Sequence, residues 1–369
     1  MTTEARGGWL MAYHAAGRTW LDSDGMHLAH SVDGYDWEPL HGPQRCATSY
    51  AELEFGTSLF LAPRIGRCRF LENARGFSPK ADKGRRAWAP FRKLLDNSTH
   101  CTDGKVLRDP FLLWHPPTSR YHALWTLGWA SPSIGHASSA DLVVWSAQRE
   151  LHVTQGLDSP VQAWAPEAFF DKRNGRTMIF WSTAHGPAWT KPSDIKKSHH
   201  TIYYVTTQTF DSFTDAKPLF PSKESGGVSM IDATMAPFLA TDKAFFLVYK
   251  NEVNKTIGVA SAPSPEGPYS TVAHNIAPAA GSIEGASVVR RSRDEVIIYF
   301  DRYEAGKYGA VRASSMRARV WEDISSQLTL PAGVRHATVL RVPKAMVQRL
   351  RAAFGTRDRG AWRPEGVLT

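Results

Sequence analysis

Short apolar runs separated by polar turns recur along this chain. The clearest is Val106 to Trp125, VLRDPFLLWHPPTSRYHALW, in which Asp109 heads an apolar run, a Pro-Pro-Thr-Ser turn follows, and a second β-rich run covers Tyr121 to Thr126. Such runs bounded by turn residues predict strand, turn, strand. The unit returns at Trp164-Ala-Pro-Glu-Ala-Phe-Phe-Asp before Thr177 to Ser182, at Ile231-Asp-Ala-Thr-Met-Ala-Pro-Phe-Leu before Ala244 to Lys250, and at Ser282-Ile-Glu-Gly-Ala-Ser-Val-Val-Arg before Val296 to Asp301. With Asp109, Ala165, Asp232 and Glu284 aligned, the spacings are 56, 67 and 52 residues. That is the length of one small antiparallel sheet with its loops, and it points to a solenoid, propeller or array.

A second pattern fixes the number of units. Ser31-Val-Asp-Gly-Tyr-Asp-Trp37 and Ser139-Ala-Asp-Leu-Val-Val-Trp145 share a Ser-x-Asp-x-x-x-Trp turn, with looser copies at Thr207 to Phe213, Ser261 to Tyr269 and Ser315 to Trp321. Each follows a short strand, giving five copies of a third strand but only four carboxylate-headed first strands. Arg335 to Val342, 52 residues after Glu284, supplies the missing one and would pair with the strand begun at Trp9. The expected fold is all-β: a five-bladed β-propeller over residues 1–342, closed by joining N- and C-terminal strands in one blade, which protects its sheet edges by circular repetition. A β-sandwich with chance repeats is the alternative.

The 369 residues, 42% hydrophobic, suffice for one large core. No apolar run reaches the roughly 18 residues of a membrane span, and the first residues show no secretory signal, so no membrane partner is expected. A monomer is expected. The net charge of +9 raises the question of nucleic acid, but residues 41–104 hold 11 Lys/Arg against 6 Asp/Glu and residues 343–369 hold 6 against 2. The remainder carries 27 of each sign, so the excess lies in an insertion (42–104) and a C-terminal tail (343–369), not on a folded face, and no nucleic-acid partner is expected. The insertion is read as functional, disordered or an accident of the gene model. Cys46, Cys68 and Cys101 all fall in it, with a spacing that suits neither disulfides nor zinc. Within the tail, Lys344 to Phe354 could form a short helix.

Strand heads at one end of a propeller converge on its axis, so Asp109, Asp232, Glu284 and His336 are expected to face one pocket, with Glu167 facing the same way two residues beyond Ala165. Carboxylates sharing a polar pocket have coupled protonation equilibria, which can hold one acid protonated beside an ionised base. Capping of strand ends is the bland alternative for each.

Arg108-Asp-Pro110, Trp164-Ala-Pro-Glu167, Ile231-Asp-Ala233 and Glu284-Gly285, in this order and spacing, resemble glycoside hydrolase family 43, a five-bladed propeller group of arabinofuranosidases, xylosidases, arabinanases and galactanases. The match runs from about Trp9 to Val342 apart from the insertion. It departs where Ala follows Glu284-Gly and where Ala follows Arg335-His336. The resemblance implies an inverting hydrolase with Asp109 as general base, Asp232 tuning the acid and orienting substrate, and Glu284 as general acid, the base and acid carboxyls roughly 6.5–9.5 Å apart to admit a water. Trp129 and Trp164 are candidates for sugar stacking, and Arg302 and Arg335 for hydrogen bonds to sugar. His336 stands where family members place a histidine beside a hydrated calcium, so a structural calcium is a candidate, although no cofactor is required. The implied substrate is a carbohydrate bearing α-L-arabinofuranosyl or related pentosyl linkages of plant polysaccharides. A β-xylosidase, an exo-β-1,3-galactanase or a catalytically silent glycan-binding propeller are the alternatives.

Overall fold

The computed structural model describes residues 7–16, 23–40, 106–187, 192–220, 227–236 and 244–354. The insertion expected at 42–104, its three cysteines, and the Arg/Gly-rich end after Phe354 lie outside the described residues.

Five four-stranded antiparallel sheets form the blades. One comprises β4 (Arg108–His115), β5 (Arg120–Thr126), β6 (Ile134–Ser139) and β7 (Arg149–Leu151). The next holds β8 (Trp164–Asp171), β9 (Arg176–Thr183), β10 (Thr201–Thr207) and β11 (Lys217–Phe220), with a short α1 (Pro192–Ile195) between β9 and β10. Then come β12 (Met230–Met235), β13 (Phe245–Asn251), β14 (Thr256–Ala262) and β15 (Ser270–Ala273), followed by β16 (Glu284–Ser292), β17 (Glu295–Arg302), β18 (Lys307–Ala313) and β19 (Glu322–Asp323). The last blade is composite: β20 (Val334–Arg341) pairs with β1 (Trp9–Ala16), which continues to β2 (Ser23–Ser31) and β3 (Glu38–Pro39). β20 is therefore the first strand of the blade whose other strands open the chain, and the ring closes through hydrogen bonds rather than a covalent link.

The alternation of side chains explains why sheets with two apolar faces are stable here. Along β1, Leu10 and Ala12 enter a core shared with Leu112, Ala123 and Trp125 of the next blade, whereas Trp9, Met11 and Tyr13 enter a core shared with Ile297, Tyr299 and Ala310 of the preceding one. The same division holds around the ring, giving five apolar layers between successive blades. Burial on both faces favours near-continuous apolar strands, as in the wholly buried Phe245–Tyr249.

The Ser-x-Asp turns close blade edges. Ser31 Oγ accepts the Gly34 N–H (2.8 Å) and Asp33 Oδ1 accepts those of Tyr35 (2.8 Å) and Asp36 (3.0 Å). Asp141 does the same for Val143 and Val144. After β20, α2 (Lys344–Phe354) turns Val347, Leu350 and Phe354 into the layer beneath Leu10 and Leu112, so this part of the tail is built into the ring.

Candidate active site

Every first strand starts with the same irregularity. Asp109 (φ 50°), Ala165 (φ 46°), Asp232 (φ 52°), Gly285 (φ 58°) and His336 (φ 35°) adopt left-handed backbone, and in each case the pairing to the next strand slips by one residue. These are β-bulges, which re-aim side chains and are enriched at active sites. Four of the five carry a side chain in a conformation costing on the order of 1–3 kcal/mol, so the surroundings must hold them there. At three of the five bulges the N–H freed from its own ladder is bonded across to a neighbouring blade. The Asp109 N–H donates to His14 Nδ1 (3.2 Å), that of Ala165 to Thr126 Oγ1 (2.8 Å), and that of Gly285 to Asp232 Oδ2 (3.1 Å). Each acceptor belongs to the preceding blade, so the bulges also stitch the ring around its axis.

The bulge corrects the alignment of the fourth unit. Gly285, not Glu284, is the counterpart of Asp109 and Asp232; Glu284 stands one residue earlier, level with Arg108, Ile231 and Arg335. An extra residue lets consecutive side chains face the axis, and Arg108 with Asp109, Ile231 with Asp232, and Arg335 with His336 all line one cavity of about 610 Å³ together with Glu284. Gly285 leaves room for this, since a Cβ there would lie 2.7 Å from the His336 ring.

Asp109 is held by two donors: Thr126 Oγ1 on Oδ2 (2.7 Å) and His336 Nδ1 near Oδ1 (3.2 Å). Burial lowers the His336 pKa, but the facing carboxylates of Asp109, Asp232, Glu284 and Asp301 outweigh it and raise the value, so the ring favours its cationic form. Asp232 lies 3.8 Å from the same nitrogen, and burial with the charges of Glu284 and Asp109 drives its pKa up to about 6 despite His336 and Lys250. Glu284 behaves oppositely. Burial pushes its pKa up, yet Lys250, whose Nζ lies 2.8 Å from Oε2, pulls it down to about 2, helped by His336 and Arg335.

The cationic side of the cavity comes mostly from outside the first strands. Lys250, at the end of β13 and almost fully buried, also contacts Glu252 (2.9 Å), which in turn pairs with Lys255. Arg335 bonds to Asp301 at the floor and lies 4.0 Å from Glu284. Burial together with the Glu284 charge raises the Asp301 pKa to about 7 against the pull of Arg335.

Asp109, Asp232, Glu284, Arg335, His336, Trp129 and Trp164 all line the cavity. Two residues expected there do not. Glu167 sits beneath the cavity, two positions further along β8, buried with its carboxyl toward Thr234 and Asp232; burial drives its pKa well up. Arg302 at the end of β17 turns away and donates to Ala280 O (3.0 Å). The tryptophans are also engaged. Trp164 stacks on His200 (centroids 5.2 Å apart) and donates to Trp129 O (3.1 Å), while the Trp129 ring has Arg108 and Lys196 over it at 4.9 and 5.0 Å. Contributors missed in the sequence are His14, Thr126, Lys250, Glu252 and Lys196. Only the strand-end positions of Thr126 and Lys250, each facing a strand head, could have signalled them.

A calcium ion takes six to eight oxygen ligands. Among the described residues no group of three or more His, Cys, Asp or Glu is arranged to hold a metal. The one nitrogen of His336 with a carboxylate neighbour is committed to Asp109. Among the described residues the side chains thus do not form a calcium cage.

Among curated proteins none matches the chain. Among solved structures, an exo-β-1,3-galactanase from Phanerochaete chrysosporium superposes with a TM-score of 0.45 at 14% identity, over 58% of this chain and 49% of its own. This chain thus spans about half the length of that enzyme. An endo-arabinase from Bacteroides thetaiotaomicron gives 0.45 at 18% identity (59% and 80% covered), and an α-L-arabinofuranosidase from Lactobacillus brevis 0.44 at 15% (59% and 72%). A sequence family described as "Probable glycosyl hydrolase domain" matches residues 94–348, a stretch that contains all five bulged strand heads. With more than half of its length so matched, the chain belongs to the glycosyl hydrolase family 43-related family.

Proposed function

We propose that the protein is an inverting glycoside hydrolase acting on α-L-arabinofuranosyl or related pentosyl linkages of plant polysaccharides. The observation that carries this reading is the convergence of Asp109, Asp232 and Glu284, from three different blades, on one axial cavity. In the reaction Asp109, oriented by Thr126 and His336, takes the proton of a water attacking the anomeric carbon, and Glu284 donates a proton to the departing glycosidic oxygen. Asp232, with its raised pKa, sits between them electrostatically and resists a second negative charge beside Glu284.

Glu284 can donate only after it has gained a proton, and Lys250 opposes that in the free protein. Lys250 has a second carboxylate, Glu252, already in contact, so a substrate oxygen can replace it at Glu284 without stranding a buried ammonium. The same ion pair is the observation that favours a second reading, a glycan-binding propeller with no turnover.

The test is hydrolysis of 4-nitrophenyl α-L-arabinofuranoside, β-D-xylopyranoside and β-D-galactopyranoside by wild type, Asp109→Ala and Glu284→Ala. The expected result is cleavage of the arabinofuranoside, lost by at least about a thousandfold in Asp109→Ala. Cleavage of the xyloside or galactoside instead would name the sugar differently. Turnover that survives both substitutions would remove these carboxylates from the mechanism.

A further inference from the structure

Resting on the reading of Glu284 as the acid, we infer that Asp301 is a positioning residue for it: from behind the cavity wall it holds the Arg335 guanidinium off Glu284, which leaves that carboxyl free to take a proton.

Strand pairing brings the three groups together. Glu284 opens β16 and Asp301 stands directly opposite it on β17, whereas Arg335 reaches in from β20 of the composite blade. Two carboxylates of one blade thus face one cation of the next. Glu284 and Arg335 line the cavity, while Asp301, 1% exposed, lies behind them. It acts through its neighbours and not on substrate.

Arg335 is committed to the hidden carboxylate. Its Nε donates to Asp301 Oδ2, and its Nη2 lies 4.0 Å from Glu284 Oε1. At that separation the charge is felt but no hydrogen bond forms. A shift of about 1 Å would make it a charge-assisted bond, a strong kind between guanidinium and carboxylate. Glu284 already accepts from Lys250 Nζ at 2.8 Å. A second direct cation would hold it ionised, whereas an acid has to carry a proton before it can donate one.

The balance of charges agrees. Lys250 has Glu252 as a second partner, and Arg335 has Asp301. With Glu284 protonated, each of these two cations keeps a carboxylate of its own, so neither is stranded. The other Asp301 oxygen, Oδ1, is buried with no hydrogen-bond partner among the described residues. Leaving it so costs stability, which argues for a role other than stability. Burial and then the Glu284 charge raise the Asp301 pKa, so ionisation of either carboxyl opposes that of the other. His336, Lys196 and Asp232 also face Glu284, and His336 and Tyr308 face Asp301. The variants below leave all of these unchanged.

The test is a set of crystal structures of the full chain, with pH profiles on whichever substrate the wild type cleaves. In Asp301→Ala the guanidinium is expected to close on Glu284, to about 3 Å. In Asp301→Asn, whose amide oxygen can still accept from Nε, it is expected to stay in place, with kcat below the alkaline limb within about threefold of wild type. In Glu284→Gln the contact of Arg335 with Asp301 is expected to persist, and this variant decides the matter if Asp301→Ala does not fold. A guanidinium that stays clear of Glu284 in folded Asp301→Ala, or that leaves Asp301 in Glu284→Gln, overturns the inference. The pH profile reads the consequence. A lower pKa of the acid ends activity at lower pH, so the alkaline limb of kcat/KM in Asp301→Ala should move down by about one pH unit, which a merely structural role would not produce. A guanidinium closed on Glu284 with an unmoved limb, or with no turnover by wild type, leaves the placement of Arg335 by Asp301 standing and removes Glu284 as the acid. A limb that moves while the guanidinium stays does the reverse.

Discussion

At the scale of single residues, the chemistry depends on where one proton resides. Lys250 lowers the pKa of the proposed acid, and its alternative partner Glu252 makes the contact releasable. Lys250→Met is therefore expected to raise the Glu284 pKa. The sign follows from the role: an acid must be protonated to act, so a higher pKa extends activity toward higher pH. The alkaline limb of kcat/KM, which reports the free enzyme, should move upward by roughly one to two pH units. An unmoved limb would separate Lys250 from the acid. Lys250 carried no signal in the sequence beyond its strand-end position, because it lies in an ordinary apolar second strand, Phe245–Asn251, and pairing with Ile231 brings it to the axis. The phase of Glu284 was hidden for a related reason. A period-two argument assumes an uninterrupted ladder, and a left-handed residue at each strand head breaks it. The same break, with depth along the strand, puts Glu167 under the cavity instead of in its wall.

At the scale of the element, the β4–β7 blade holds a buried polar chain that the catalytic reading does not use. His115 Nδ1 and His122 Nε2 both contact Thr118 Oγ1 (2.9 and 3.0 Å), His122 Nδ1 contacts His136 Nε2 (2.9 Å), and Arg149 Nε donates to His136 Nδ1 (3.0 Å). Burial, then neighbouring positive groups, lowers the pKa of His122 and of His136 to about 3. A histidine depressed in the folded state is neutral there while the unfolded chain takes up a proton below about 6.5, so stability is full above that pH and falls as pH drops toward 3. One such residue should withdraw on the order of 2 kcal/mol between pH 7 and pH 5. Thermal melts at the two pH values should show a smaller loss on acidification for His122→Gln than for wild type, whatever the substitution does to stability at pH 7. An equal loss would place the acid sensitivity elsewhere. The blade as a unit was readable from its strand, turn, strand pattern, whereas this chain was not, since its histidines meet only when β4, β5 and β6 pair.

At the scale of the whole molecule, ring closure and site assembly are one event carried out at two ends of the same blade. The repeat count exposed the closure, because five third strands with four carboxylate-headed first strands left Arg335 to Val342 as the only segment to complete the ring. In the structure His14 pairs with Arg335 at the axial cavity, while Trp9 pairs with Arg341 at the other end, where α2 begins three residues later. The helix buries Leu350 fully against the layer between the composite blade and the β4–β7 blade. It therefore braces the closure from the end opposite the chemistry. Leu350→Ala should cost about 2–5 kcal/mol, the range for a fully buried leucine, measured by denaturant unfolding. Because β1 and β20 still set Arg335 and His336 at the far end, kcat on the substrate identified for wild type should stay within about twofold below the melting transition. A large stability loss with unchanged kcat would show that the brace and the site share a blade without sharing energetics. A fall in kcat of tenfold or more while the fold persists would instead mean that strain at the helix travels along β20 into the bulge at His336, and that this closure tunes the site it completes.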